Sequence, residues 1–214
     1  MTAIRRVSLV DQIYQRLRSE IIFLKRPLGS KLNMDELCSS YGISSTPIRE
    51  AMNRLQQERL IVYRNNVGAS VLSLTGHDIT EIQQVARVLH FEAIRLAMLT
   101  GDRKKIVEQL KVCLDNYCSA QTVVDEVMAV CAFYGVFYHH CGNARLDDSM
   151  LAIQGQQLLL RNLYFSQFAQ RGHDFRCYER VLHLVEENRT DDIFAALQEN
   201  IDYMTETLVR AVLN

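Results

Sequence analysis

The chain has 214 residues, 48% of them hydrophobic, which is enough for one large domain or two small ones. Only 9 Gly and 2 Pro interrupt it, which argues against an all-β or disordered chain and points to long helices. The net charge of −1 conceals a split: residues 1–75 carry 11 basic against 6 acidic side chains (+5), and residues 76–214 carry 13 against 19 (−6). Contact with a polyanion is therefore expected in the first part and repulsion in the second.

The longest near-apolar run, Val127 to Tyr138, is too short to span a bilayer, and no apolar stretch follows Arg5-Arg6 as a signal peptide would require. A cytoplasmic protein without membrane contact is expected. The six cysteines contain no Cys-x-x-Cys pair, and most sit among Leu, Val and Phe. They read as buried free thiols, with a redox sensor as the alternative.

In chain order, Ile13, Leu17, Ile21 and Leu24 repeat along one face of a helix over Leu9–Leu24. Asn33-Met34-Asp35-Glu36 reads as a capping box opening a helix over Met34–Tyr41, which Gly42 closes. Ser44-Ser45-Thr46-Pro47 starts the next helix, with Pro in the first turn and the cap open among Ser44, Ser45 and Thr46. Ile48, Met52 and Leu55 line its buried face, leaving Ser45, Thr46, Arg49 and Asn53 on the other. Glu50 and Arg54 are spaced to pair. Two helices joined by a short Gly-containing turn form a helix-turn-helix. The runs Leu60–Tyr63 and Ala69–Leu72 around Arg64-Asn65-Asn66-Val67-Gly68 read as a hairpin, the wing of a winged helix.

The stretch from Leu37 to Leu55, with its Thr46-Pro47-Ile48-Arg49-Glu50 core and the later Gly68-Ala69-Ser70-Val71, resembles the GntR family of bacterial transcription regulators over about residues 8–74. The resemblance implies that the Ser44–Leu55 helix enters the major groove of double-stranded DNA. Ser44, Ser45, Thr46, Arg49 and Asn53 would then face DNA, and Asn66 and Gly68 would approach the minor groove. Arg64 is either a phosphate contact or a charge at a strand end. Helix-front N–H groups suit phosphate, and Arg can bind guanine bidentately. Ser45 departs from the Arg common in the family.

From Gly76 onward six helical segments follow: Asp78–Leu99, Arg103–Ser119, Thr122–Cys141, Ala144–Gln170, Asp174–Asn188 and Asp191–Leu213. Ile82, Val85, Leu89 and Leu96 mark one inward face. Ile193, Leu197, Ile201, Met204 and Leu208 mark another. The fold expected is mainly α: a winged helix-turn-helix over 1–75, then an all-α antiparallel bundle over 76–214. Arg87 with Glu92, Phe133-Tyr134 before Gly142-Asn143, and the Asn188 turn make this part similar to the FCD effector domain of the FadR subfamily, in its six-helix VanR-like branch. That resemblance implies a cavity for a small effector, an organic or sugar acid, which changes DNA affinity. Many members hold a divalent metal there with an Asp and three His. The corresponding positions here are Val130, Tyr134, Tyr178 and Asn200, so no metal or other cofactor is expected.

Tyr134, Tyr178 and Asn200 would line the cavity by hydrogen bonding. Arg87 and Arg161 are expected in solvent, with inward clamping of a carboxylate as the alternative. The six histidines are expected at the surface or the core edge. No Glu-x-x-His pair, P-loop, Gly-x-Gly-x-x-Gly or Gly-x-Ser-x-Gly occurs, which argues against an enzyme. The expected function is an effector-controlled, homodimeric regulator, a repressor, on a palindromic operator. The alternative is a constitutive DNA binder whose bundle only dimerises.

Overall fold

The computed structural model describes residues 8–64, 68–169 and 171–213, which form two compact units, Met1–Ser73 and Leu74–Asn214. The fold is mostly helical with one small antiparallel sheet.

In the first unit, α1 (Leu9–Ile22) is capped by Ser8, α2 (Met34–Tyr41) by Asn33, and α3 (Ser45–Gln57) follows Ser44. The strands are β1 (Lys31–Leu32), β2 (Ile61–Arg64) and β3 (Gly68–Val71), in the order β1-β3-β2. Ile13, Leu17 and Ile21 of α1 meet Ile48, Met52 and Leu55 of α3 in a core completed by Leu37, Leu60, Ile61 and Val71. The periodic residues of both helices thus face inward as expected, except that Leu24 is half-buried beyond the end of α1. That helix stops at Ile22 because Leu24 turns left-handed (φ 57°) and the Arg26 N–H bonds back to the Glu20 carbonyl. Asn33 caps α2 through the Asp35 N–H, with no return bond from Glu36. The expected capping box is therefore half formed.

Strand β1 was not legible in the sequence. Two residues long, it pairs through Lys31 with Ser70 and Leu32 with Ala69. The hairpin matches expectation, with Arg64 opposite Gly68.

In the second unit, α4 (Gly76–Thr100), α5 (Arg103–Ser119), α6 (Val123–His140), α7 (Ala144–Gln167), α8 (Arg171–Glu186) and α9 (Thr190–Leu213) form the bundle. Reciprocal capping boxes open α4 (Thr75 with Asp78) and α6 (Thr122 with Asp125). Helix α7 packs against α4, α6 and α9 and is buried continuously from Gly155 to Phe165. An encircled helix has no water-facing side, so polar residues on it must find partners inside. One inward assignment fails: Val85 is 49% exposed, because α4 turns Ile79, Ile82, Ala86, His90, Ala93 and Ala97 inward instead. Among the described residues no helix is long and apolar enough to cross a membrane.

Candidate nucleic-acid interface and bundle cavity

Helix α3 is held by its apolar face, so its sequence leaves Ser44, Thr46, Arg49 and Asn53 exposed and Ser45 half-buried. The turn before it depends on Gly42, whose φ of 70° lies in the left-handed region. Ser44 occupies the N-cap position, yet its side chain makes no cap bond, unlike the caps of α1, α2 and α4 to α7. Pro47, third in the helix, has no N–H for Ser44 to accept, so the Ser45 and Thr46 N–H groups are what the front of α3 offers an outside acceptor such as a phosphate oxygen.

An open groove of about 650 Å³ runs beside this helix, lined by Arg49, Asn53 and Gln56 of α3, Tyr63 and Gly68 of the hairpin, and Lys31 of β1. The Arg49 cation lies close enough to Tyr63 to pull against the burial that raises its hydroxyl. The groove thus brings together three expected residues, Arg49, Asn53 and Gly68. Lys31 joins them through the unforeseen strand. Arg64 is exposed on β2, and Asn66 lies outside the described residues. Gly68 has φ 92° at the start of β3.

The pairing expected between Glu50 and Arg54 is replaced. Arg54 bonds Asp11 of α1 at 2.6 Å and stacks over the Tyr14 ring at 3.9 Å. Tyr14 in turn bonds Glu58, to which Arg18 also donates at 2.8 Å. These contacts tie α1 to α3 and fix the angle at which α3 presents its front. Burial, then Glu58, pushes the Tyr14 hydroxyl up to about 12.

The second unit contains a cavity of about 20 Å³ between α4, α6, α7, α8 and α9, room for about one water. Two buried charged groups line it: Arg161 of α7, and Asp174 of α8, whose carboxylate accepts from the Tyr164 hydroxyl at 3.2 Å. The solvent exposure expected of Arg161 is wrong: it is 6% exposed because α7 is encircled. Its guanidinium donates to Cys131 Sγ (3.1 Å) and His90 Nε2 (3.2 Å) and lies over the Tyr134 ring at 4.8 Å. No carboxylate among the described residues reaches it within ion-pair distance.

His90 likewise departs from the surface or core-edge position expected of the histidines. It is 4% exposed, stacked on Tyr134 at 4.1 Å and 3.2 Å from the Tyr138 hydroxyl. Arginine can only donate, so His90 Nε2 accepts and the proton sits on Nδ1, facing Tyr138. Burial, then Arg161, holds the imidazole well below its ordinary value, in its neutral form.

Tyr134, Tyr178 and Asn200 all line the cavity, and Val130 is buried on α6 outside the lining. Arg87 is half-buried rather than in solvent, its guanidinium donating to Gln198 at 3.2 Å with Asp202 at 4.0 Å. Two buried polar atoms on the lining residues lack partners: Asn200 Oδ1 and Gln83 Nε2. Gln83 accepts from Gln157 through its other atom. The cysteines are free thiols, as expected, but only Cys113 and Cys141 are buried; Cys38, Cys131 and Cys177 are half-buried and Cys118 is exposed, which corrects the burial expected.

A resident divalent metal does not fit these residues. Among the described residues no three His, Cys, Asp or Glu side chains come together, and the Arg161 cation would repel a metal ion in the same cavity.

The model described as "Bacterial regulatory proteins, gntR family" matches residues 9–71, spanning the three helices and the sheet. The first unit carries a gntR-family winged helix. The chain is 32% identical over 95 residues to an uncharacterized HTH-type transcriptional regulator, YdhC, of Bacillus subtilis (44% of this chain, 42% of that protein). It is 30% identical over 158 residues to the gluconate operon transcriptional repressor of the same organism (71% of this chain, 59% of that one). It thus spans about two-fifths to three-fifths of the length of these curated relatives. The solved structure of E. coli McbR/YncC has the same fold, with a TM-score of 0.78, 19% identity and coverage of 98% of this chain and 100% of that one.

Proposed function

We propose that the chain is a transcription regulator, a repressor of the cytoplasm, that binds a palindromic operator as a homodimer through its gntR-family winged helix. The observation carrying this reading is the uncapped, exposed front of α3, with Arg49 and Asn53 in one groove with Lys31, Tyr63 and Gly68. In this reading Ser44, Ser45 and Thr46 meet the phosphate backbone, Arg49 and Asn53 meet base edges, and Arg64, Asn66 and Gly68 follow the backbone beside the wing. A single winged helix covers one half-site, so two copies match a two-fold-related operator. The test is a gel-shift titration of wild type against Arg49→Ala. Losing one bidentate base contact costs about 1–3 kcal/mol, and a dimer loses it twice. Unchanged affinity in the variant contradicts the assignment.

The same reading makes the second unit an FCD-type effector domain. A buried guanidinium with no carboxylate in ion-pair contact, in a cavity that also holds Asp174 and the unpartnered Asn200 Oδ1 and Gln83 Nε2, supports an anionic effector that also carries a hydrogen-bond donor. A small organic or sugar acid has that chemistry, with Arg161 as the anion's partner and Arg87, Tyr134, Tyr178 and Asn200 around it. The cavity as it stands holds about one water, so such a ligand would displace side chains at its rim. That small volume favours a second reading, a constitutive DNA binder whose bundle binds nothing. A thermal-shift screen of small carboxylates separates the two: a compound that raises the melting temperature and changes operator affinity excludes the second.

A further inference from the structure

One helix face in the second unit has no use in either site. On α4, Val85, Val88 and Leu99 are 49%, 64% and 70% exposed, although the rest of the apolar content of this helix faces the bundle. With Glu92 and Arg95 they occupy positions 85, 88, 92, 95 and 99, spaced 3, 4, 3 and 4 apart. That is the a/d seam of a heptad repeat, which one helix presents to another. The middle of the seam is charged: Arg95 forks onto Glu92 of its own helix at 2.8 and 2.7 Å, and both side chains are about half exposed.

We infer that this seam is where two copies of the chain meet, α4 against α4, antiparallel about a two-fold axis between Phe91 and Leu96. The inference rests on the homodimer reading above and names its surface. In an antiparallel pair each a position faces a d position. Val88 then lies on the partner's Leu99, Glu92 on the partner's Arg95, and both contacts repeat across the axis, as an isologous interface requires. The two Glu92–Arg95 forks merge into one alternating ring of four charges, closed on each side by an apolar pair.

Competing registers fail on the same residues. Centring the axis on Glu92 sets two like carboxylates face to face. Sliding by one heptad puts Val85 on the partner's Arg95 and Val88 on the partner's Glu92, burying charge against apolar groups. Of these three registers only the first pairs opposite charges and sets Val88 on Leu99; Val85 then lies outside the paired stretch, since its counterpart position, Asp102, is beyond the end of α4.

The test uses the full chain in sedimentation velocity from nanomolar to micromolar concentration. E92R and R95E, each made alone, should raise the dimer dissociation constant at least tenfold, and the E92R/R95E double variant should recover most of the loss. In a Cys118→Ser background, mild oxidation should cross-link V88C/L99C into a covalent dimer and leave V88C alone and L99C alone uncoupled. Val88, Arg95 and Leu99 are exposed and Glu92 is half-buried, so circular dichroism should show unchanged helicity in every variant. A dimer unaffected by the charge swaps and not cross-linked would overturn the seam and leave the homodimer reading standing. A monomer at every concentration would overturn both.

Discussion

Arg161 decides how the second unit is understood. A guanidinium buried with no carboxylate in ion-pair contact is costly in the empty protein, and replacing such a group with an apolar one of similar length is often neutral or stabilising. Arg161→Met should therefore keep or raise the urea midpoint of the free protein while abolishing any stabilisation by a carboxylate effector. A folded variant that a carboxylate effector still stabilises would contradict that role. His90 supplies a second test. Because folding holds it neutral below its ordinary value near 6.5, the unfolded chain takes up a proton that the folded one refuses. Stability is complete above about pH 6.5 and falls as the pH drops, by up to about 1.4 kcal/mol per unit from this group. His140 is also lowered, by burial and then by His139, and adds a smaller share because it is less buried. Urea midpoints at pH 7.5 and 5.5 should differ in the wild type and differ less in His90→Gln. An equal difference in both proteins would rule His90 out. Neither residue's place could be read from the sequence. Arg161 sits in a run that looks amphipathic, and only the three helices around α7 remove its solvent side.

At the scale of elements the sequence is more transparent. The inward faces of α1, α3 and α9, the turn at Gly42 and the wing all follow from periodicity and turn chemistry, because each depends on neighbours a few residues away. Strand β1 does not, since two residues carry no period and pair only because β3 lies beside them. Helix α4 misleads for the opposite reason: it is apolar on two faces, so the period fits Val85 inward as well as it fits Ala86. The capping box at its start is a local device with a local test. Thr75 accepts from the Asp78 N–H at 3.1 Å, and the Asp78 carboxylate accepts from the Thr75 N–H at 2.8 Å, which together with the Thr75 hydroxyl holds Asp78 below its ordinary value. Thr75→Ala should cost about 1 kcal/mol in urea unfolding. A cost near zero would mean that α4 is held by packing alone.

For the whole molecule the charge split carries the functional account. In the proposed function the +5 of residues 1–75 would favour contact with DNA and the −6 of the remainder would disfavour it. Operator binding should weaken by about 10³ to 10⁵ between 50 and 200 mM salt if some 6–10 phosphates are contacted by the dimer. A salt-insensitive affinity would argue against DNA as the partner. The most direct measurement is selection of random double-stranded DNA by the full chain, followed by titration of the winning sequence with wild type and Arg49→Ala. One two-fold-related motif is expected, bound at least about 10³ times more tightly than random DNA by the wild type, with most of that preference gone in the variant. Failure to enrich any motif, or equal preference in the two proteins, would contradict it.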